Sequence, residues 1–112
     1  MERIEKPWGY ELIWAKSDKY VGKFLHINPN SRLSLQYHKK KEETIYVMRG
    51  FLKYQSGEDG EEVFMPAGSI IHVKPGDIHR FGAGEYPVML CEVSSPELDD
   101  VVRLEDDYKR KN

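Results

Sequence analysis

A chain of 112 residues is one domain's worth of polypeptide, too short to close two separate cores. Hydrophobic residues at 39% and charged residues at 32%, with seven tyrosines, four phenylalanines and two tryptophans, describe a folded domain and argue against a disordered one. A net charge of −2 provides no broad positive field for nucleic acid, and no apolar run approaches the roughly eighteen residues needed to cross a membrane.

From the amino terminus, Met1-Glu2-Arg3-Ile4-Glu5-Lys6 offers no apolar stretch for a signal peptide, so the expected compartment is the cytoplasm. Thereafter short segments rich in β-branched and aromatic residues predict strands at 10–14, 20–28, 32–37, 43–48, 51–55, 62–65, 69–73, 79–81 and 87–94. Turns are predicted at Pro29-Asn30, Arg49-Gly50, Gly57-Glu58-Asp59-Gly60, Pro66-Ala67-Gly68, Pro75-Gly76 and Gly82-Ala83-Gly84, where proline fixes φ or a residue tolerates positive φ. Cys91, the single cysteine, lies in the apolar run Val88-Met89-Leu90-Cys91 and reads as a small buried hydrophobe with no disulfide partner in the chain. Residues 109–112 read as a frayed polar end. The fold class is therefore all-β, a sandwich or barrel forming a single domain over 1–112.

Chemistry enters at one spacing. Gln36 and His38, two apart on a strand, share a face and can bind one ion together, with Glu43 and the His79 of Lys74-Pro75-Gly76-Asp77-Ile78-His79 completing the set. Two imidazoles, a carboxylate and an amide oxygen suit zinc, manganese, iron, cobalt or nickel. On the same strand Leu33, Leu35 and Tyr37 share the opposite face, which predicts an outward apolar stripe covered by a second subunit, hence a homodimer. Lys39-Lys40-Lys41, followed at once by Glu42 and Glu43, reads as a solvated turn, with a phosphate-attracting rim as the sharper alternative. His72 is a candidate for lining the pocket, and His26 reads as a strand residue with a local hydrogen bond.

These residues carry a resemblance. Residues 30–50 are similar to the first cupin motif, with Asn30, Gln36, His38, Glu43 and Gly50 in step, and Gly68, Gly76 and His79 fall at matching places of the second, with Pro75 displaced by one. The chain further resembles the carboxy-terminal isomerase domain of type II phosphomannose isomerases through four pieces. They are Lys6-Pro7-Trp8-Gly9-Tyr10-Glu11, Leu33-Ser34-Leu35-Gln36-Tyr37-His38, Pro75-Gly76-Asp77-Ile78-His79-Arg80, and the terminal Asp99-Asp100-Val101-Val102-Arg103-Leu104-Glu105-Asp106-Asp107-Tyr108. The resemblance implies a cupin-type double-stranded β-helix, a jelly-roll barrel. It also implies one divalent ion, zinc favoured, on Gln36, His38, Glu43 and His79, and interconversion of mannose 6-phosphate and fructose 6-phosphate.

That reaction needs a base, for which Glu92, Glu11 and His72 are candidates, and a cation for the phosphate, for which Arg103 comes first because its planar fork suits phosphate. Arg80 and the lysines from Lys39 come second; strand parity turns Arg80 away if His79 points inward, unless the Pro75-Gly76 turn delays the strand. The chain departs from the family where Arg-Ala-Glu-His-Trp is replaced by Lys41-Glu42-Glu43-Thr44-Ile45, and where a terminal Tyr-Gly-Arg becomes Tyr108-Lys109-Arg110. Two further readings stay open: a small cupin of other metal chemistry, such as an oxygenase, and a non-catalytic sugar or metabolite-binding module.

Overall fold

The computed structural model describes residues 1–112 and builds them into eleven strands with no helix. In chain order these are β1 (Glu2–Lys6), β2 (Gly9–Lys16), β3 (Val21–Ile27), β4 (Leu35–Tyr37), β5 (Glu43–Arg49) and β6 (Phe51–Ser56). Then follow β7 (Glu62–Pro66), β8 (Ile70–Val73), β9 (His79–Ala83), β10 (Val88–Ser94) and β11 (Val102–Glu105). They form two antiparallel sheets, one in the order β1-β2-β3-β10-β5-β8 and the other β11-β4-β9-β6-β7. This is the all-β jelly roll expected of the sequence. The chain contains no helix long and apolar enough to cross a membrane.

Eight of the nine predicted strands match observed ones to within two residues. β1 and β11 lie outside the predicted strands: Glu-Arg-Ile-Glu-Lys has little intrinsic strand character and forms by pairing with β2, Glu2 opposite Ile13 through Lys6 opposite Gly9, and β11 forms by pairing with β4, Val102 opposite Tyr37. The exception among the predicted strands, 32–37, shrinks to β4. Upstream of it Arg32 makes an isolated bridge to Gly82 and the Leu33 amide bonds the Phe81 carbonyl. This irregular entry breaks the alternation, so Leu33, Ser34 and Leu35 are all buried in the chain itself. The outward Leu33 and Leu35 stripe is thus corrected: Leu33 belongs to the core, Leu35 is 1% exposed, and neither needs a second subunit to cover it.

The interior changes character along the strands. Val88 and Leu90 of β10 face Ile27 and Leu25 of β3, and with Val47, Ile45, Leu52, Trp8 and Phe81 they make an apolar core. Burying each such side chain contributes about 1.5–3 kcal/mol. Two residues further along the same inward rows, Glu92 faces Lys23, and Glu43 opens β5. One half of the barrel is therefore oil and the other half is charge. Between β5 and β6 the single Gly50 turns the chain at φ +82°, where an added Cβ would come within 2.5 Å of the Pro87 carbonyl oxygen.

Candidate metal centre

The charged half holds a site assembled from both sheets. His38 follows β4, Glu43 begins β5 and His79 begins β9. Lys74-Pro75-Gly76-Asp77 is a tight turn in which Asp77 N–H bonds the Lys74 carbonyl at 3.0 Å and the Asp77 carboxylate accepts from Lys74 N–H at 2.9 Å. Gly76 N–H then bonds the His38 carbonyl at 2.7 Å, tying the turn before one histidine to the backbone of the other.

Both rings are oriented from behind. His38 Nδ1 lies 2.6 Å from the Asp100 carbonyl oxygen and His79 Nδ1 lies 2.9 Å from that of Asp77. A carbonyl only accepts, so each Nδ1 carries the proton and each Nε2 presents a lone pair. Those Nε2 atoms stand 3.8 Å and 3.5 Å from Glu43 Oε1, all three residues are buried, and their ligand atoms lie within 4.8 Å of one another. Three acceptors thus converge with no donor among them, an arrangement that a cation satisfies, and the carbonyl partners are the outer support typical of ligating histidines. Gln36 is the register partner of His79, donates to the Ser34 carbonyl at 3.3 Å and opens into the same cavity.

Lys41 completes the charge arrangement and corrects the reading of Lys39-Lys40-Lys41 as a solvated turn, since its side chain is buried. It is 5% exposed, and its Nζ sits 3.1 Å from Glu43 Oε2 and 3.1 Å from Glu92 Oε2. Burial lowers the ammonium's affinity for its proton, but Glu92 and Glu43 outweigh it and hold the group above its ordinary value. Burial likewise raises the Glu43 carboxyl, yet His38 and His79, whenever their rings carry a second proton, and Lys41 hold it well below the usual carboxylate range. Glu92 goes the other way: burial and neighbouring Glu43 push it up, and Lys41 and Lys23 only partly offset them.

A cavity of about 490 Å³ opens over this centre. Of the sequence candidates, Gln36, His38, Glu43, His79, Glu92, Glu11 and Arg103 line it. Glu11 is engaged by Lys23 at 3.2 Å in a second buried pair. Arg103, half-buried on β11, donates through Nη1 to the Lys111 carbonyl at 3.1 Å, while its buried Nε has no protein partner.

Three candidates fall elsewhere. Arg80 points away from the cavity, as parity with His79 requires, and donates through Nε to the Leu33 carbonyl at 2.9 Å near Glu105 and Asp107. His72 lies on the outer face of the six-stranded sheet beside Glu42, because Ile71 and Val73 take the inward positions of β8. Lys39 is exposed and contributes its backbone N–H to the Asp100 carboxylate.

The family described as mannose-6-phosphate isomerase C-terminal matches residues 1–106. The chain is 34% identical over 112 residues to a mannose-1-phosphate guanylyltransferase of Escherichia coli K12, covering 96% of this chain and 23% of that protein. It is 31% identical over 113 residues to the xanthan biosynthesis protein XanB of Xanthomonas campestris, covering 96% of this chain and 24% of that one. It therefore spans about a quarter of the length of these curated relatives. A conserved protein with a double-stranded β-helix domain from Klebsiella pneumoniae superposes with a TM-score of 0.73 at 23% identity, over 94% of this chain and 86% of that one. That likeness concerns the fold.

Proposed function

This chain belongs to the mannose-6-phosphate isomerase C-terminal family, and on that premise we propose that it is a metal-dependent aldose–ketose isomerase acting on a sugar phosphate, with mannose 6-phosphate and fructose 6-phosphate as the substrate pair. The observation that carries the reading is the convergence of His38, Glu43 and His79 on one point inside a cavity that is also lined by the buried carboxylate of Glu92 and by Arg103.

His38, Glu43, His79 and Gln36 would hold the ion, for which zinc is favoured by family resemblance. When bound it supplies Lewis acidity toward the substrate oxygens at the first and second carbons. Glu92 is the base: its raised carboxyl accepts the proton from the second carbon of the open-chain aldose and returns it to the first carbon, while the hydroxyl proton passes from the oxygen on the second carbon to that on the first, leaving the carbonyl on the second. Glu11 is less suited, because it has Lys23 to itself, whereas Glu92 shares Lys41 with Glu43. Lys41 neutralises Glu43 and Glu92 together, so negative charge developing on the substrate meets a site that is not already crowded with anions. Arg103, which lines the cavity, is the cation for the phosphate.

Incubating the metal-supplemented protein with mannose 6-phosphate in deuterated water should give fructose 6-phosphate with deuterium incorporated at the exchanging carbon. His38→Ala and His79→Ala are expected to abolish turnover, and Glu92→Gln to lower kcat by about 10²–10⁴-fold. A metal-loaded protein that leaves every hexose and pentose phosphate unchanged ends the isomerase reading.

A further inference from the structure

Trp8 stands at a place where a side chain is ordinarily in water. It is the second residue of the turn Pro7-Trp8 between β1 and β2, closed by Lys6 opposite Gly9, and hairpin tips belong to the surface. Here the tip is folded back on the barrel and Trp8 is 2% exposed, against 44% for Trp14, the other tryptophan of the chain. Two contacts hold it there. The Asn28 amide donates to the Trp8 carbonyl at 2.8 Å, and Gly9 presses so closely on β3 that an added Cβ would lie 1.8 Å from the His26 carbonyl oxygen. The indole therefore reaches the cavity from a fixed backbone, and with Ile4, Leu25, Leu33 and Phe81 it forms an apolar wall of that cavity. The wall begins beside the candidate metal centre, since the Phe81 ring lies 5.3 Å from that of His79.

Packing accounts for the ring but leaves its polar atom without a role. A buried indole N–H ordinarily finds an acceptor. No protein group accepts from Trp8 Nε1, and the atom is not sealed off either, since the enclosed side-chain atoms without a partner are Ser34 Oγ, Arg80 Nη2, Glu92 Oε2, Glu97 Oε2 and Arg103 Nε. The small accessible remainder of Trp8 thus includes its N–H, and the space that Trp8 lines is the cavity over His38, Glu43 and His79.

Given a sugar phosphate as the substrate, on which this assignment rests, we infer that Trp8 is a specificity-determining residue of the site: its indole N–H donates to a hydroxyl oxygen of the bound sugar, while the wall beside it takes the C–H groups of the carbon chain. A polyhydroxylated chain presents both kinds of group along its length; a bare phosphate presents only oxygen. One neutral hydrogen bond of this kind strengthens binding about 3–10-fold. Its effect on selectivity is larger, because an analogue lacking that hydroxyl leaves the N–H against carbon with no water to replace it.

Two tryptophans give two indole N–H resonances in isotopically labelled protein, and Trp14→Phe identifies the one that belongs to Trp8. With the metal supplied, mannitol 6-phosphate, which has no carbonyl to isomerise, should shift the Trp8 resonance, and inorganic phosphate at the same concentration should leave it in place. Trp8→Phe keeps an aromatic ring and removes the donor; it should raise KM for mannose 6-phosphate about 3–10-fold with kcat within about two-fold. A Trp8 resonance that stays still while the backbone signals of Gln36 and His79 respond overturns the inference and leaves the isomerase reading intact. Equal shifts with inorganic phosphate, or a folded Trp8→Phe with an unchanged KM, overturn it in the same way. If no signal responds to the polyol phosphate at millimolar concentration, the sugar-phosphate reading falls and the role of Trp8 falls with it.

Discussion

A lysine ammonium taken out of water requires negative charge against it, and Lys41 has two carboxylates at 3.1 Å. Removing it leaves Glu43 and Glu92 buried and uncompensated, which costs about 3–5 kcal/mol. Lys41→Met is therefore expected to lower the urea midpoint sharply at neutral pH, and Glu92→Gln in the same chain to restore much of the loss because one orphaned charge goes with it. Strictly additive effects in that double-mutant cycle would show that the two groups do not act as a pair. Among three consecutive lysines composition gives no preference; the choice is made by backbone conformation. Asp100 accepts the N–H groups of Lys39, Lys40 and Lys41 at 3.0, 2.7 and 2.9 Å, turning Lys41 inward while Lys39 and Lys40 stay in solvent. The convergence of His38, Glu43 and His79 was legible from the spacing of the two matched motifs. Lys41 was not, because its partner Glu92 and its clamp Asp100 are remote in sequence.

The loop from His38 to Glu42 is thus an element built by a single side chain outside it. The Lys39 N–H, with those of Lys40 and Lys41, outweighs the cost of burial and brings the Asp100 carboxyl down to about 2 from its ordinary 3.8. A folded value below the unfolded one means that folding favours the ionised form. The stability it contributes is complete above about pH 4–5 and is lost as the pH falls through about 2. Asp100→Ala should destabilise the protein at pH 7 by about 1 kcal/mol, a figure discounted for the half-exposed carboxylate, and the gap from wild type should close between pH 4 and pH 2. Thermal melts across that range test it; a gap that does not change with pH assigns the effect to something other than the carboxylate. The strands themselves were legible wherever alternation ran between turn dipeptides, as in β3, β5 and β10. They were not where an edge strand of charged residues is held by its neighbour, as in β1, or where an isolated bridge replaces a ladder, as at Arg32 and Gly82.

At the scale of the whole barrel the candidate ligand set spans both sheets. Glu43 belongs to the six-stranded sheet and His79 to the five-stranded one, with His38 on the loop that leaves the five-stranded sheet for the six-stranded one. An ion held by all three ties the sheets together at their charged end, where the apolar packing of Leu25, Leu90 and Val47 has already given way to Lys23 and Glu92. Because unfolding separates these ligands, binding adds directly to stability: at a free-ion concentration 100 times Kd the gain is about 2.7 kcal/mol. For a chain of this length that corresponds to a rise in Tm of about 10 °C. Zinc, manganese, cobalt, nickel and iron(II) should each raise Tm in the order of their affinity, and a chelator should reverse the shift. In Glu43→Ala, His38→Ala and His79→Ala the shift should vanish even though the metal-free protein still folds. This readout is independent of turnover, so it separates a site that binds no ion from one that binds an ion without catalysing isomerisation. A Tm shift that persists in all three variants places the ion elsewhere on the molecule.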